Sequence, residues 1–375
     1  MPLLLLLFSC EINTNLFIII PPTTPFYHSC LITQESGVKC WGANNNGQLG
    51  DGTRDSRSQA LTVSLLNSNV KMVSIGGGEL RPYFNSGHSC AVTQAGGVWC
   101  WGAWPGSADS TLAPVIVDRF KSGVNAVSAG YEHICVLQDT GVIMCWGYNS
   151  NGTVSPQALP YYANPMPILG LPGPAKAVSA GDNFTCALMK SDGRIFCWGA
   201  NDEGQLGNGK STRSSQPSEV VGINDALSIS CGQNHACAVT DYGILCWGNN
   251  GYSQLGNGNN VTSYIPVNVT GIIEPVISVS AGGGFTCTAF AGGGVKCWGL
   301  NNYGQIGDET TVTRSIPTEV SGLQKGVVEI QSHVSYTCAR LEDGEAKCWG
   351  RNNTGQLGDG TTTTRLKPVE VVGFK

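Results

Sequence analysis

The sequence predicts an all-β protein folded as a seven-bladed β-propeller of four-stranded antiparallel blades. Self-similarity at a fixed period is typical of repeat architectures. Short runs rich in Val, Ile, Cys and Trp are bounded by Gly, Asn, Asp and Pro, which is the pattern of strands and turns. Glycine supplies 51 of 375 residues, and charged residues only 13%. The triplet Cys-Trp-Gly recurs seven times at intervals of about 50 residues, with its tryptophans at Trp41, Trp101, Trp146, Trp198, Trp247, Trp298 and Trp349.

One repeat, residues 276–322, contains four predicted strands in order. The stretch VISVSAG is rich in small residues and therefore suits the crowded axis of a radial array. FTCTAF and VKCWG flank the turn AGGG and predict a hairpin, and IPTEV follows as the outer strand. Closing such units into a ring leaves only short, protected sheet edges.

The tryptophan of each triplet is predicted to fill the wedge between neighbouring blades. Burial of ~150–250 Å² of aromatic surface at ~25 cal/mol/Å² corresponds to an upper bound of roughly 4–6 kcal/mol per ring. The Gly-Gln-Leu-Gly stretches are predicted to be turns of the fold, because the features of a phosphate loop or an EF-hand are missing. They and their close variants occupy residues 47–50, 204–207, 253–256, 304–307 and 355–358.

Most of the cysteines form pairs that flank the predicted hairpin turn. Opposed residues of antiparallel strands have Cα atoms ~4.5–5.5 Å apart, within the range of a disulfide. Hairpin disulfides in every repeat indicate an oxidising compartment. Zinc ligation and burial as small apolar residues in a reducing cell are the alternatives. The pairs are Cys30/Cys40, Cys90/Cys100, Cys135/Cys145, Cys186/Cys197, Cys237/Cys246, Cys287/Cys297 and Cys338/Cys348.

The amino terminus bears on the compartment and on ring closure. Residues 1–14 resemble a truncated signal or a bacterial lipoprotein leader, in which Cys10 is the lipidated residue. No Lys or Arg precedes the apolar run 3–8, and this run is shorter than the usual length of about 7–15 residues. Residues 15–375 are predicted to form one propeller closed by its N- and C-terminal strands, with residues 15–20 (NLFIII) as the first strand.

Two consecutive repeats depart from the pattern and predict a partner-binding sector. The loops after Trp101 and Trp146 lack Gln-Leu-Gly, and GGGELRPYFNSG is inserted before His88. Loops rich in aromatic residues and Arg on a rigid scaffold are typical of protein-binding hot spots. Neutral decay of the repeat is the alternative. The predicted partner-binding residues are Arg81, Tyr83, Phe84, Trp99, Trp104, Tyr148, Tyr161 and Tyr162.

A flat ring stands two residues before the first cysteine of every pair. Four imidazoles in such a series suggest a metal site, but Phe and Tyr are poor substitutes for a ligand. Packing between blades or a hydrogen bond is therefore the favoured interpretation. The residues are His28, His88, His133, Phe184, His235, Phe285 and Tyr336.

The stretch HACAVTDYGILCWGNNGYSQLGNG (residues 235–258) and its sister stretches resemble the regulator of chromosome condensation (alpha-tubulin suppressor-like) repeat family. The resemblance covers residues 16–375, and this chain is similar to a cysteine-rich, secreted-type variant. It implies the seven-bladed propeller and a protein-binding surface. Members include an exchange factor for the GTPase Ran, a plant ultraviolet-B photoreceptor and secreted β-lactamase inhibitors, so the resemblance leaves function open.

Several functional classes are disfavoured by what the sequence lacks. No nucleophile elbow, His-Glu-x-x-His motif or cofactor fingerprint occurs, so we expect no enzyme and no cofactor. A net charge of −5 provides no basic footprint for nucleic acid. No apolar run approaches the ~20 residues that span a bilayer. Asn-x-Ser/Thr sequons, which matter only in a eukaryotic secretory pathway, begin at Asn151, Asn183, Asn260, Asn268 and Asn352.

We therefore expect a monomeric, non-enzymatic protein-binding scaffold, extracellular or at the cell surface, whose protein partner is unknown. A cytoplasmic guanine-nucleotide exchange factor for a Ran-like GTPase is the alternative. A light sensor requires a tryptophan cluster beyond the blade set, and Trp99 and Trp104 alone are too few.

Overall fold

The computed structural model describes residues 28–77, 87–157 and 159–375. The regular secondary structure within these ranges consists of β-strands, which form seven antiparallel sheets in a ring. The prediction of a seven-bladed propeller is confirmed. The blades are numbered 1 to 7 in chain order. Blades 2 to 7 have four strands each, and blade 1 has three within the described residues. Across those same ranges, no helix has the length and apolar character needed to cross a membrane.

In blades 2 to 7 the strands follow one another from the axis to the rim, and the three described strands of blade 1 correspond to the second, third and fourth strands of the other blades. Blade 1 contains β1 (His28–Ile32), β2 (Val38–Gly42) and β3 (Arg57–Thr62). Blade 2 contains β4 (Val70–Gly76), β5 (His88–Thr93), β6 (Val98–Gly102) and β7 (Thr111–Ile116). Blade 3 contains β8 (Val124–Ala129), β9 (His133–Gln138), β10 (Ile143–Tyr148) and β11 (Tyr161–Pro167). Blade 4 contains β12 (Ala175–Ala180), β13 (Phe184–Met189), β14 (Arg194–Gly199) and β15 (Ser214–Asn224).

The remaining blades have the same order of strands. Blade 5 contains β16 (Ala226–Cys231), β17 (His235–Thr240), β18 (Gly243–Gly248) and β19 (Ser263–Asn268). Blade 6 contains β20 (Val276–Ala281), β21 (Phe285–Phe290), β22 (Val295–Gly299) and β23 (Arg314–Glu319). Blade 7 contains β24 (Val327–Ser332), β25 (Tyr336–Leu341), β26 (Ala346–Gly350) and β27 (Arg365–Glu370). The four stretches predicted for residues 276–322 correspond to β20 to β23.

The small residues of the first strands allow neighbouring blades to approach at the axis. The Ser128 hydroxyl accepts a hydrogen bond from the Ala180 backbone amide of the next blade at 2.9 Å, and the Ser179 hydroxyl accepts one from the Cys231 amide at 3.0 Å. The residues at this position are buried. A larger side chain would separate the strands, which explains the recurring Ser-Ala-Gly sequence. The other bonds of this kind join Ser74 to Ala129, Ser230 to Ala281, and Ser280 to Ser332.

The core is divided into seven apolar clusters, each lying between two adjacent blades. The tryptophan of every Cys-Trp-Gly triplet is at most 1% exposed and belongs to one of these clusters. Its predicted role in filling the wedge between blades is confirmed. Apolar burial and the hydrogen bonds at the axis therefore hold blade to blade, whereas backbone hydrogen bonds hold strand to strand within each sheet.

Blades 1 and 7 are joined by side-chain and backbone hydrogen bonds. Ser29 donates a hydrogen bond to the Tyr336 hydroxyl at 3.0 Å, and the Ala60 amide donates to the Val372 carbonyl at 3.0 Å. All four strands of blade 7 come from its own repeat. The strand predicted for residues 15–20 and the leader predicted for residues 1–14 lie outside the described residues, and both stay predictions.

Each predicted cysteine pair forms a disulfide within its own blade. Cys287 and Cys297, for example, are direct cross-strand partners whose Cα atoms are 4.1 Å apart. Because the sulfur atoms are bonded to each other, the zinc alternative is excluded for these cysteines. Cys231 is buried and reduced, and burial raises the pKa of its thiol to about 12. The other bridges are Cys30–Cys40, Cys90–Cys100, Cys135–Cys145, Cys186–Cys197, Cys237–Cys246 and Cys338–Cys348.

Candidate partner-binding surface

The two faces of the ring carry different connections. The hairpin turns between the disulfide-linked strands lie on one face, together with the connections between consecutive blades. The opposite face carries the links from the first to the second strand and the longer loops from the third to the fourth strand. In blade 6 the hairpin turn on the first face is 291–294, and the long loop on the opposite face is 300–313. We call the two sides the short-turn face and the long-loop face.

A buried asparagine holds most of the long loops from within. In blade 6 the Asn301 Oδ1 accepts a hydrogen bond from the Ile306 amide at 3.0 Å, and its Nδ2 donates to the carbonyls of Thr310 and Val312 at 3.1 Å. The side chain is fully buried. Both ends of the amide are therefore used to link distant parts of the loop. The equivalent residues are Asn44, Asn149, Asn201, Asn250 and Asn352.

The sequence analysis above did not predict that these asparagines support the long loops. The signal was present in the sequence, because Asn stands three residues after the tryptophan in six of the seven repeats. Asn352 also begins a predicted sequon. Its side chain is fully buried and donates to the carbonyls of Thr361 and Thr363 at 3.1 and 3.0 Å. The folded protein therefore does not present Asn352 for glycosylation.

The long loop of each blade also contacts the tryptophan of the Cys-Trp-Gly triplet in the next blade. Trp349 Nε1 donates a hydrogen bond to the Gln305 carbonyl at 3.0 Å. A Cβ added to Gly307, which has φ of 79°, would lie 2.7 Å from Trp349 Nε1. The Gly-Gln-Leu-Gly sequence thus has the predicted architectural role. The equivalent bonds join Trp41 to Gln356, Trp101 to Gln48, Trp146 to Pro105, Trp198 to Thr153, Trp247 to Gln205, and Trp298 to Gln254.

Blade 3 keeps this framework although it lacks Gln-Leu-Gly. The Asn149 Oδ1 accepts a hydrogen bond from the Val154 amide at 2.8 Å, and its Nδ2 donates to the Leu159 carbonyl at 3.1 Å. Trp198 donates to the Thr153 carbonyl at 2.9 Å. The two loops that depart in sequence therefore differ in structure, and only the loop of blade 2 lacks the framework asparagine.

In blade 2, Trp104 occupies the position of the framework asparagine. Its half-buried ring packs against the cluster between blades 2 and 3, which includes Phe120 and Trp146. The Gly106 amide donates a hydrogen bond to the Tyr161 hydroxyl at 2.8 Å and so ties this loop to blade 3. In this loop, packing of the Trp104 ring and the hydrogen bond to Tyr161 of blade 3 take the place of the hydrogen bonds that the asparagine side chain makes in the other blades.

Three of the predicted partner-binding residues come together on the long-loop face. Tyr148 and Tyr161 are direct partners across β10 and β11, and the Tyr161 hydroxyl contacts the loop that contains Trp104. Tyr161 is 44% exposed. The two tyrosines are thus paired, and the hydroxyl of Tyr161 connects them to the loop of Trp104 where blades 2 and 3 meet.

The other predicted residues are placed elsewhere. Tyr162 follows Tyr161 along β11 and points into the core, where it is 7% exposed. Trp99 lies on β6 and packs, half-buried, against the cluster between blades 1 and 2. Arg81, Tyr83 and Phe84 lie outside the described residues.

The flat ring before the first cysteine connects neighbouring blades, as predicted. His133 Nε2 lies 2.8 Å from the Thr185 hydroxyl of the next blade, and His235 Nε2 lies 2.9 Å from that of Thr286. Burial lowers the pKa of His133 to about 4 and that of His235 to about 3, so both imidazoles are neutral at physiological pH. In the part of the chain that the structure describes, no group of three or more His, Cys, Asp or Glu side chains is placed to hold a metal.

A disulfide-linked ring with one loop-bearing face defines a repeat propeller of the kind that presents loops from a rigid frame. Residues 106–375 match the family model described as the RCC1-like domain, and residues 26–48 match that of the Regulator of chromosome condensation (RCC1) repeat. The chain belongs to the RCC1-like family, and the resemblance stated from the sequence is confirmed.

Relatives of known name carry the same repeats in different proteins. Human E3 ubiquitin-protein ligase HERC2 is 27% identical over 361 residues, which cover 92% of this chain and 7% of that protein. The chain therefore spans only a small part of the length of HERC2. Ultraviolet-B receptor UVR8 of Arabidopsis thaliana is 27% identical over 355 residues, covering 91% of this chain and 79% of UVR8.

Two solved structures show the same fold. Human WBSCR16 superposes with a TM-score of 0.76 at 22% identity, covering 88% of this chain and 92% of that one. Prp20p of Saccharomyces cerevisiae superposes with a TM-score of 0.76 at 18% identity, covering 89% and 85%. At such identities the likeness concerns the fold alone.

Proposed function

We propose that this protein is a non-enzymatic scaffold of an oxidising, extracytoplasmic compartment, and that it binds a protein partner on the long-loop face where blades 2 and 3 meet. The observation that carries the proposal is the group formed by Trp104, Tyr148 and Tyr161. It lies at the one long loop in which an aromatic ring replaces the framework asparagine.

Aromatic rings on a rigid frame suit protein recognition. Tyr and Trp bury a large area on binding while few side-chain torsions become ordered, and they are enriched among the residues that dominate binding energy. Tyr161 is already held by its hydrogen bond from the Gly106 amide, so its ring is oriented before a partner arrives. Prior orientation lowers the entropic cost of binding.

The disulfides support the proposal that the protein functions in an oxidising compartment. A bridge in every blade is typical of secreted and surface proteins, because cytosolic reductants keep thiols reduced. HERC2 and UVR8 are named as a ligase and a receptor at equal identity to this chain, so its function is inferred from its own surface.

The compartment is tested by the intact mass of the protein from its native source, measured under denaturing conditions with and without reductant. Seven bridges with two hydrogens each predict a gain of about 14 Da on reduction. A mass that does not change favours the cytosolic exchange factor instead.

Partner binding is tested by affinity capture with the immobilised protein and its variants. We expect Trp104→Ala combined with Tyr161→Ala to lose a partner that the wild type retains, while the circular dichroism spectrum is preserved. Tyr252→Ala is the matched control, because Tyr252 is 53% exposed in the long loop of blade 5. Equal retention by the double variant, or equal loss in the control, contradicts the proposed surface.

A further inference from the structure

A polar pocket lies between the long loop of blade 3, which begins directly after Tyr148, and the start of β15 in blade 4. Its volume is about 240 Å³. Pockets for drug-sized ligands are typically about 300–1,000 Å³, so this one is suited to a single side chain. Its lining residues are Asn149, Ser150, Asn151, Gly152, Ser155, Pro156, Gln157, Arg213 and Ser215.

The charge of this pocket is one-sided. Arg213 contributes a guanidinium, and no lining residue is Asp or Glu. Arg213 Nη1 donates a hydrogen bond to the Ser150 carbonyl at 3.2 Å, which holds the side chain across the two blades. Because Arg213 is exposed, its other N–H groups remain accessible at the rim. The chain as a whole has a net charge of −5, so this local positive charge is not part of a general attraction for anions.

The residue opposite Gly152 at the edge of the pocket is small. A Cβ added to Gly152 would lie 2.5 Å from Ser215 Cβ, so the loop of blade 3 rests directly on this serine. At the equivalent contacts between other blades, Gly47 faces Leu112, Gly204 faces Tyr264 and Gly304 faces Leu366, whereas Gly355 faces Ser58. Leu112, Tyr264 and Leu366 are larger than the serine that faces Gly152.

The polar side chains that line the pocket are of two kinds: some form hydrogen bonds within the protein, and others do not. The Asn149 amide is fully used by the loop framework, and Asn151 Nδ2 donates to Asn183 Oδ1 at 3.2 Å. Among the described residues, the Ser150 and Ser215 hydroxyls and the Gln157 side chain make no hydrogen bond. They add neutral donors beside the Arg213 fork.

We propose that this pocket binds the carboxylate of an Asp or Glu side chain from the protein partner that docks on Trp104, Tyr148 and Tyr161. A guanidinium matches a carboxylate in a planar, two-point hydrogen bond. The pocket and the aromatic group share one loop, because Asn149 follows Tyr148 directly and its backbone amide donates a hydrogen bond to the carbonyl of Pro160, which precedes Tyr161. This inference rests on the proposed function and specifies an acidic residue next to the apolar contact of the partner.

The test uses defined probes and therefore does not require the partner to be known. The Arg guanidinium NMR signals of the full chain are recorded while N-acetyl-glutamate amide or its neutral isostere N-acetyl-glutamine amide is added. The Arg213 signal is assigned by its loss in Arg213→Gln. We expect a saturable shift with the glutamate probe and at least a ten-fold weaker response to the glutamine probe.

Two variants separate the pocket from unspecific charge effects. Ser215→Leu places the side chain found at Leu112 and Leu366 into the pocket, and we expect it to abolish the shift while the fold is kept. Arg54→Gln, an exposed arginine in the long loop of blade 1, is expected to leave the response unchanged.

The inference is overturned by equal responses to the two probes, by no saturable shift, or by a response that survives Ser215→Leu. It is also overturned if inorganic sulfate or D-glucuronate binds more tightly than the glutamate probe, since these outcomes identify a free-anion or a carbohydrate site. A negative probe result together with capture that depends on Tyr161 refutes only the pocket. Capture that is indifferent to Tyr161 refutes the docking surface.

Discussion

Blades 2 and 6 hold their long loops in opposite ways. In blade 6 the buried Asn301 amide connects the loop through directed hydrogen bonds, and the loop covers it completely. In blade 2 an indole stands at that position and holds a shorter loop by contact, with part of its surface exposed. The asparagine side chain in blade 6 is therefore covered by its own loop, whereas the indole in blade 2 keeps an exposed surface that another molecule can cover. The following experiments break or sharpen this contrast.

The largest effect is expected for a framework tryptophan. Trp298→Ala removes a fully buried ring and its hydrogen bond to the Gln254 carbonyl at 2.9 Å. We expect a loss of roughly 4 kcal/mol in the free energy of unfolding. Trp104→Ala is expected to cost about 1–2 kcal/mol, because its ring is only half-buried. Urea unfolding measures both, and equal losses contradict the distinction.

The framework asparagines are next. Asn301→Ala leaves the Ile306 amide and the Thr310 and Val312 carbonyls without their buried partner, with an expected cost of roughly 3 kcal/mol. Asn149→Ala in blade 3 is expected to cost the same, since its hydrogen bonds are equivalent. The neighbouring Asn302→Ala is the control, because Asn302 is exposed. A small effect for Asn149 alone would group blade 3 with blade 2.

Disulfides are expected to contribute equally in regular and irregular blades. The Cys287–Cys297 and Cys135–Cys145 bridges both span 10 residues. Replacing either pair by Ser is expected to cost about 2–3 kcal/mol, from the entropy of a short closed loop. Thermal melts of the two double variants should coincide, and a wide difference would show that the blades differ in more than their loops.

The smallest effect concerns acid sensitivity. Burial raises the pKa of Asp308, but hydrogen bonds from Thr310, Arg314 and Asn301 outweigh it and hold the pKa below its usual value. Asp51 and Asp359 are held in the same way, whereas blades 4 and 5 have Asn208 and Asn257 at this position.

A carboxylate with a lowered pKa in the folded state stabilises it above the unfolded pKa of about 4, and this contribution is lost as the pH falls through the folded value. Asp308→Asn should therefore reduce the loss of unfolding free energy below about pH 4 by less than about 1 kcal/mol, which appears in thermal melts as a flatter decline of the melting temperature. Asp118→Asn is the control, because the Asp118 side chain is 92% exposed. A steeper decline in Asp308→Asn contradicts the sign.

Part of the surface was predictable and part was not. Tyr161 and Tyr162 were predicted together, but neighbours on a strand point to opposite sides, so only one of them faces solvent. Trp99 lies in the same sector of the sequence, yet its strand directs it towards blade 1. Trp104 was predicted as a binding residue, and its place in the asparagine series shows a packing role as well.

The amino-acid sequence by itself determined the number of blades, the strand order and the disulfide pairs. These are local properties, since a period of about 50 residues specifies the repeat and opposed cysteines lie across a short hairpin. Only the tertiary structure decided which aromatic rings meet and where a pocket opens. Arg213 and Ser150 are 63 residues apart, and Ser215 supports Gly152 across a blade boundary. Such contacts depend on how one sheet packs on the next, which no spacing within a repeat records.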